Sequence, residues 1–101
     1  MTRSEIQDAL EAVDGSLHVY YQPPASVHIK YPAIIFRLEN IDQKFADDWT
    51  YLKDRAYMVT LICKDPDNPY VDKLVWAFQK IRFDRTYISD NLYHYVYVLY
   101  E

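Results

Sequence analysis

The last nine residues that could form one strand, Leu92, Tyr93, His94, Tyr95, Val96, Tyr97, Val98, Leu99 and Tyr100, constrain this chain most. At period two, Tyr93, Tyr95 and Tyr97 share one face and Leu92, Val96 and Val98 fill the other, so the strand is apolar on both sides. It carries no proline and no inward charge. Such a strand cannot stand as a bare sheet edge, because its free amides and carbonyls would pair with another chain. It must be central, covered, or paired with a neighbouring subunit, and tyrosine is enriched at protein interfaces. An oligomer is therefore expected.

The 101 residues fit one compact domain, 1–101, with half of them hydrophobic and enough for one core. A single glycine excludes collagen-like, glycine-linker and glycine-loop phosphate-binding architectures. Eleven basic against fifteen acidic residues give a formal charge of -4 with no basic run, which argues against tight nucleic-acid binding. Glu5, Asp8, Glu11 and Asp14 recur every third residue as an acidic ridge at helical spacing, for which a solvated face is the ordinary account. One cysteine, Cys63, rules out an internal disulfide. With no stretch near the roughly 20 apolar residues of a membrane span and an acidic N-terminal segment, a cytoplasmic protein is expected.

Thr2 and Glu5 have capping-box spacing, and Ile6, Ala9, Leu10 and Val13 share a helical face, which predicts a helix over residues 3–13 with Gly15 as a left-handed cap. Residues 17–22 read as a short strand stopped by Pro23 and Pro24, and residues 25–30 as an arm or loop. Residues 33–41 and 53–64 alternate as strands, the second apolar on both faces and so central. Residues 40–51 break every period and read as a long contact loop carrying Phe45, Asp47, Asp48 and Trp49. Asn68 and Pro69 open a second helix with Val71, Leu74, Val75 and Phe78 as its inner stripe. Two strands follow, over 82–88 and 92–100, joined as a hairpin through Ser89, Asp90 and Asn91. The order predicts an α+β domain, a mainly antiparallel four- to five-stranded sheet with two helices packed on it.

No catalytic signature is present: there is no Gly-x-Ser-x-Gly, no His-Glu-x-x-His and no phosphate loop. Asp65, Asp67 and Asn68 lack the glycine and closing glutamate of a calcium loop, and His18, His28, His94 and Cys63 lack metal-ligand spacing. Neither an enzyme nor a cofactor or metal site is expected. Asp84, Arg85, Tyr87, Asp90, Asn91 and His94 concentrate polar groups around the last hairpin, and with Tyr93, Tyr95 and Tyr97 they are the candidate interface residues.

In combination, Val19-Tyr20-Tyr21-Gln22-Pro23-Pro24, Lys30-Tyr31-Pro32-Ala33-Ile34-Ile35, Phe45-Ala46-Asp47, Lys64-Asp65-Pro66-Asp67, Phe83-Asp84-Arg85 through Tyr87, and Asp90-Asn91-Leu92 with His94 resemble a family of tailed-bacteriophage tail terminator proteins. These are also described as tail completion, head-tail joining or minor capsid proteins. The phrases span residues 17–100 in order. The resemblance implies a tail-terminator-like α+β fold and a structural role in the virion neck, assembled in the bacterial host cytoplasm. It implies a homo-oligomer, a hexameric ring that caps the tail tube and meets the head connector or head-closure protein, with DNA passing through the lumen without specific binding. Another neck component, such as a head-closure or adaptor ring, and a small module binding a ligand or host protein are the alternatives.

Overall fold

The computed structural model describes the backbone of residues 2–46 and 49–100, and the side chains of these residues other than 40–54. The elements follow the order α1 (Arg3–Glu11), β1 (His18–Tyr21), β2 (Ala33–Ala46), β3 (Trp49–Cys63), α2 (Tyr70–Ala77), β4 (Ile81–Ser89) and β5 (Leu92–Tyr100). They form an α+β domain with a five-stranded open sheet in the order β1-β2-β3-β5-β4. Among the described residues the β1–β2 ladder is parallel and the other three are antiparallel. Because β5 is antiparallel to both β3 and β4, β4 runs in the direction of β3, and α2 links the two by crossing over β5.

The capping box of α1 forms as its spacing predicts. Thr2 Oγ1 accepts from the Glu5 amide at 3.2 Å, and the Thr2 amide donates to Glu5 Oε1 at 3.2 Å. The Thr2 amide bond, with a smaller contribution from the Thr2 side chain, holds the Glu5 carboxyl below its usual range. The helix stops at Glu11, two residues short of the expected end, and Gly15 is not a left-handed cap, since no glycine has positive φ. The turn is instead closed by Asp14, whose Oδ1 accepts from the Ser16 amide at 2.8 Å. Asp14 Oδ2 also receives Lys73 Nζ of α2, an exposed pair that pulls the Asp14 carboxyl below its usual range.

At α2 the capping acceptor is Asn68, whose Oδ1 takes the amides of Tyr70 at 3.1 Å and Val71 at 3.3 Å. Upstream, Asp65 Oδ1 accepts from the Asp67 amide at 2.9 Å, so this carboxylate shapes the turn into the helix. The last hairpin turns through Asp90 (φ 53°) and Asn91 (φ 62°). Both are left-handed, as a two-residue type I′ turn requires, and aspartate and asparagine tolerate that conformation in place of glycine.

Register places Ile34, Leu61 and Tyr95 in one cross-strand row, Phe36, Val59, Tyr97 and Phe83 in the next, and Leu38, Tyr57, Leu99 and Ile81 in a third, all on one face. Both helices bury their apolar sides there: Ile6 and Leu10 of α1 and Leu74 of α2 join Ile34, Phe36, Tyr57, Val59, Leu61, Cys63, Tyr97 and Leu99 in a single cluster. Each buried branched or aromatic side chain contributes roughly 1.5–3 kcal/mol. Tyr97 is wholly buried, and its hydroxyl donates to the Val71 carbonyl at 3.1 Å, tying β5 to the first turn of α2. Burial pushes its phenol pKa well above the usual range, with Asp72 adding to the shift.

The expected contact loop is corrected as well. Residues 40–46 and 49–51 belong to strands rather than a loop, because β2 and β3 stay paired from Ala33↔Ile62 out to Ala46↔Trp49. Register shifts between Leu38 and Asn40 and between Lys44 and Phe45 reset the in-and-out alternation, which erases the period-two signal while leaving the ladder intact. β1 pairs only as far as Phe36 and β5 only as far as Ala56, so beyond these the two strands form a ribbon roughly 20 Å long at about 3.3 Å per residue. Of the three placements open to the tyrosine-rich β5, it takes the central one: it is an inner strand, hydrogen-bonded on both sides, and needs no neighbouring subunit to satisfy it. Tyr97→Phe, which removes one part-buried hydrogen bond, lowers the unfolding free energy by about 1 kcal/mol in urea titration; an unchanged midpoint contradicts the assigned contact.

Candidate interaction surface

With β5 inside, β4 becomes the free edge. Every residue of β4 after Ile81 is exposed, including Phe83, Tyr87 and Ile88, the last at 67%. The edge carries two devices that discourage indiscriminate pairing: a register shift at Asp84, and the charged run Arg82, Asp84, Arg85, in which Arg85 Nη1 meets Asp84 Oδ2 at 3.2 Å. The opposite edge, β1, is four residues long and is followed by Pro23 and Pro24.

The candidate interface residues separate onto the two faces of the β4–β5 hairpin. Tyr87 and His94 are cross-strand neighbours on the face away from the helices, with rings stacked at 4.7 Å and 12°. Arg85 shares that face through its pairing with Val96. The Leu92 carbonyl lies 3.1 Å from His94 Nδ1, and Thr86 Oγ1 donates to the His94 carbonyl at 2.9 Å, so the ring and strand are held from both ends. Tyr93 and Tyr95 lie on the helix face, half-buried, and Asp90 and Asn91 are exposed at the turn. Tyr97, read from sequence as an interface residue, belongs to the core, since its row lies under α2 and packs edge-on to Phe83 at 5.4 Å. Asp47 and Asp48, and the side chains of Phe45 and Trp49, lie outside the described residues.

Sequence periodicity misses one residue. Tyr70, Val71, Leu74 and Phe78 turn α2 toward the core, which leaves Val75 at the margin, 41% exposed, rather than in the stripe. Trp76 points directly away and is 87% exposed. A helical wheel centred on Leu74 and Val71 places Trp76 opposite them, so the signal was present in the 3.6-residue period.

The groups that could support chemistry do not converge. Among the described residues, no three His, Cys, Asp or Glu side chains are placed to hold a metal ion. Cys63 is buried in the core, where desolvation, with a smaller contribution from Asp65, pushes its thiol up to about 11. A cavity of about 210 Å³ beside it is lined by Tyr31, Lys64, Asp65, Asp67, Asn68 and Tyr70. No helix among the described residues is long and apolar enough to cross a membrane. No protein-family model matches the chain, and no curated protein is found to be similar to it. Cys63 is therefore expected to resist a thiol-specific chromogenic reagent at pH 8 in the folded protein and to react at once in denaturant; rapid labelling of the native chain contradicts its burial.

Proposed function

We propose that this chain is a structural protein of a tailed-phage virion, a ring-forming tail terminator or tail completion protein that caps the tail tube and joins it to the head connector. The observation that carries this reading is an open sheet whose two free edges lie at opposite ends, β1 on one side and an almost fully exposed β4 on the other. A head-to-tail contact between unlike surfaces of this kind closes into a ring when its rotation divides the circle. Its action is by shape and complementary surfaces, without covalent chemistry.

The resembling phrases support the same reading by where they fall. Val19 to Pro24 forms β1 and its exit, Lys30 to Ile35 enters β2, and Lys64 to Asp67 makes the turn ahead of α2. Phe83-Asp84-Arg85 is the irregular site of the exposed edge, and Asp90-Asn91 the left-handed turn beside it. They mark turns and edges more than core, the positions at which a ring subunit would meet its neighbours. The β2–β3 ribbon adds an arm reaching past the sheet.

Six copies at -4 each carry about -24, and an acidic channel would let DNA slide without adhering. On α1, Glu5, Asp8 and Glu11 are exposed, while Asp14 is engaged by Lys73. If the helix lines the channel, reversing Glu5, Asp8 and Glu11 to lysine slows DNA ejection from the virion; unchanged ejection kinetics reject that placement. The function itself is tested by adding the purified chain to polymerising tube subunits: a terminator arrests growth at one end and shortens the tubes. Tubes of unchanged length, with binding to connector-bearing capsids instead, assign the chain to head closure.

A further inference from the structure

Trp76 stands on the side of α2 opposite the core, beyond Leu74, Val71 and Phe78, which already satisfy the helix's packing. A tryptophan gains roughly 150–250 Å² of burial when it is covered, and an isolated exposed one on a two-turn helix contributes nothing to this fold. Asp72, also exposed, lies one turn before it on the same outer ridge.

The far side of the molecule carries a matching recess. Where β1 ends, Gln22 turns away at φ 41°, its amide donating to the Phe36 carbonyl at 3.0 Å and its Oε1 accepting from the Leu38 amide at 3.3 Å. This leaves an open groove of about 460 Å³ lined by Gln22, Pro23, Ile35, Arg37 and Leu38. Its floor is apolar and its one charged wall is Arg37, whose side chain is 55% exposed. Arg37 Nη2 contacts Glu39 Oε2 and Met58 Sδ, each at 3.2 Å, and its Nη1 and Nε face no partner among the described residues.

We propose that the outer ridge of α2, Asp72 and Trp76, docks into the Gln22-to-Leu38 groove of a second copy of this chain, the indole seated on Pro23 and Ile35 and the Asp72 carboxylate paired with Arg37. The charges are complementary, and the indole can also stack beneath the guanidinium. α2 packs over β5 and β4, whereas the groove lies at the β1–β2 end of the sheet, so no chain can make this contact with itself. Knob and groove at opposite ends give a heterologous contact, the kind that propagates around a ring. The inference rests on the ring reading and names the surfaces that would build it.

Sedimentation velocity on the full chain tests it. Wild type self-associates in a concentration-dependent manner, and Trp76→Ala weakens that association by about 30-fold or more, the loss typical of a buried tryptophan anchor. Asp72→Arg and Arg37→Asp each weaken it, and the chain carrying both substitutions regains it, because the exchanged charges meet across the same contact. Thermal unfolding of all four variants should change little, since the side chains are exposed, which separates lost docking from lost folding. Self-association unaffected by Trp76→Ala overturns the contact while leaving the ring reading intact. Failure of the double exchange to recover overturns the assigned pairing. A wild type that stays monomeric up to its solubility limit, or Trp76→Ala losing only its binding to tail tubes, overturns docking between copies, and the tube-growth assay then decides the ring reading separately.

Discussion

The fold depends on the insertion of β5 between β3 and β4. Three ladder positions carry most of that constraint: Tyr57 opposite Leu99, Val59 opposite Tyr97, and Leu61 opposite Tyr95, each adding side chains to the face that the helices cover. Tyr97 is the pivot, because its ring fills the row between Val59 and Phe83 while its hydroxyl reaches the Val71 carbonyl. One residue thereby fixes the sheet register and the seat of α2. In chain order α2 crosses the helix face between β3 and β4, which leaves a position between those two strands for the last strand. The helix-covered face of that slot takes Tyr93, Tyr95, Tyr97 and Leu99, and on the other face Val96 is buried among its strand neighbours.

What the slot settles for β5 it transfers to β4. The exposed edge now lies on Ile81–Ser89, whose charged and irregular centre at Arg82, Asp84 and Arg85 restrains strand addition. The proposed contact between copies accordingly uses side chains rather than an extended ladder: Trp76 is exposed on the outer side of α2 and the groove lies at the end of β1, at opposite ends of one sheet. The one-sided placement of α1 and α2 has a second consequence. The other face is held by cross-strand neighbours alone, Ile35 with Thr60 and Val96, and Ala33 with Ile62 and His94, and it still buries Ala33, Ile62 and Val96.

Element order and class were legible because local chemistry and tertiary need agree at most points. Thr2 and Glu5 cap α1, Asn68 caps α2, Asp90 and Asn91 turn the last hairpin, and β3 is apolar on both faces because it is central. The failures have specific physical sources. Two register shifts hid the outer parts of β2 and β3 from a period-two reading. Asp14 took the turn that Gly15 was expected to make. The candidate surface was less legible than the fold, since a strand apolar on both sides suits an inner position and a subunit contact equally well. Only strand order, a non-local property, separates these, and it moved Tyr97 into the core and exposed β4. Trp76 was legible in principle, once the inner stripe of α2 is centred on Leu74 rather than extended to Val75.

The central claim is that β5 is an inner strand and β4 the edge, and native-state amide hydrogen exchange tests it residue by residue. The strand order predicts that the amides of Tyr93, Tyr95, Val96 and Tyr97 exchange only through global unfolding, together with those of Val59 and Leu61, while the outward-facing amides of β4 exchange faster by orders of magnitude. Amides of β5 that exchange as fast as those of β4 would contradict the account, because a strand paired on both sides has no solvent-facing row to lose.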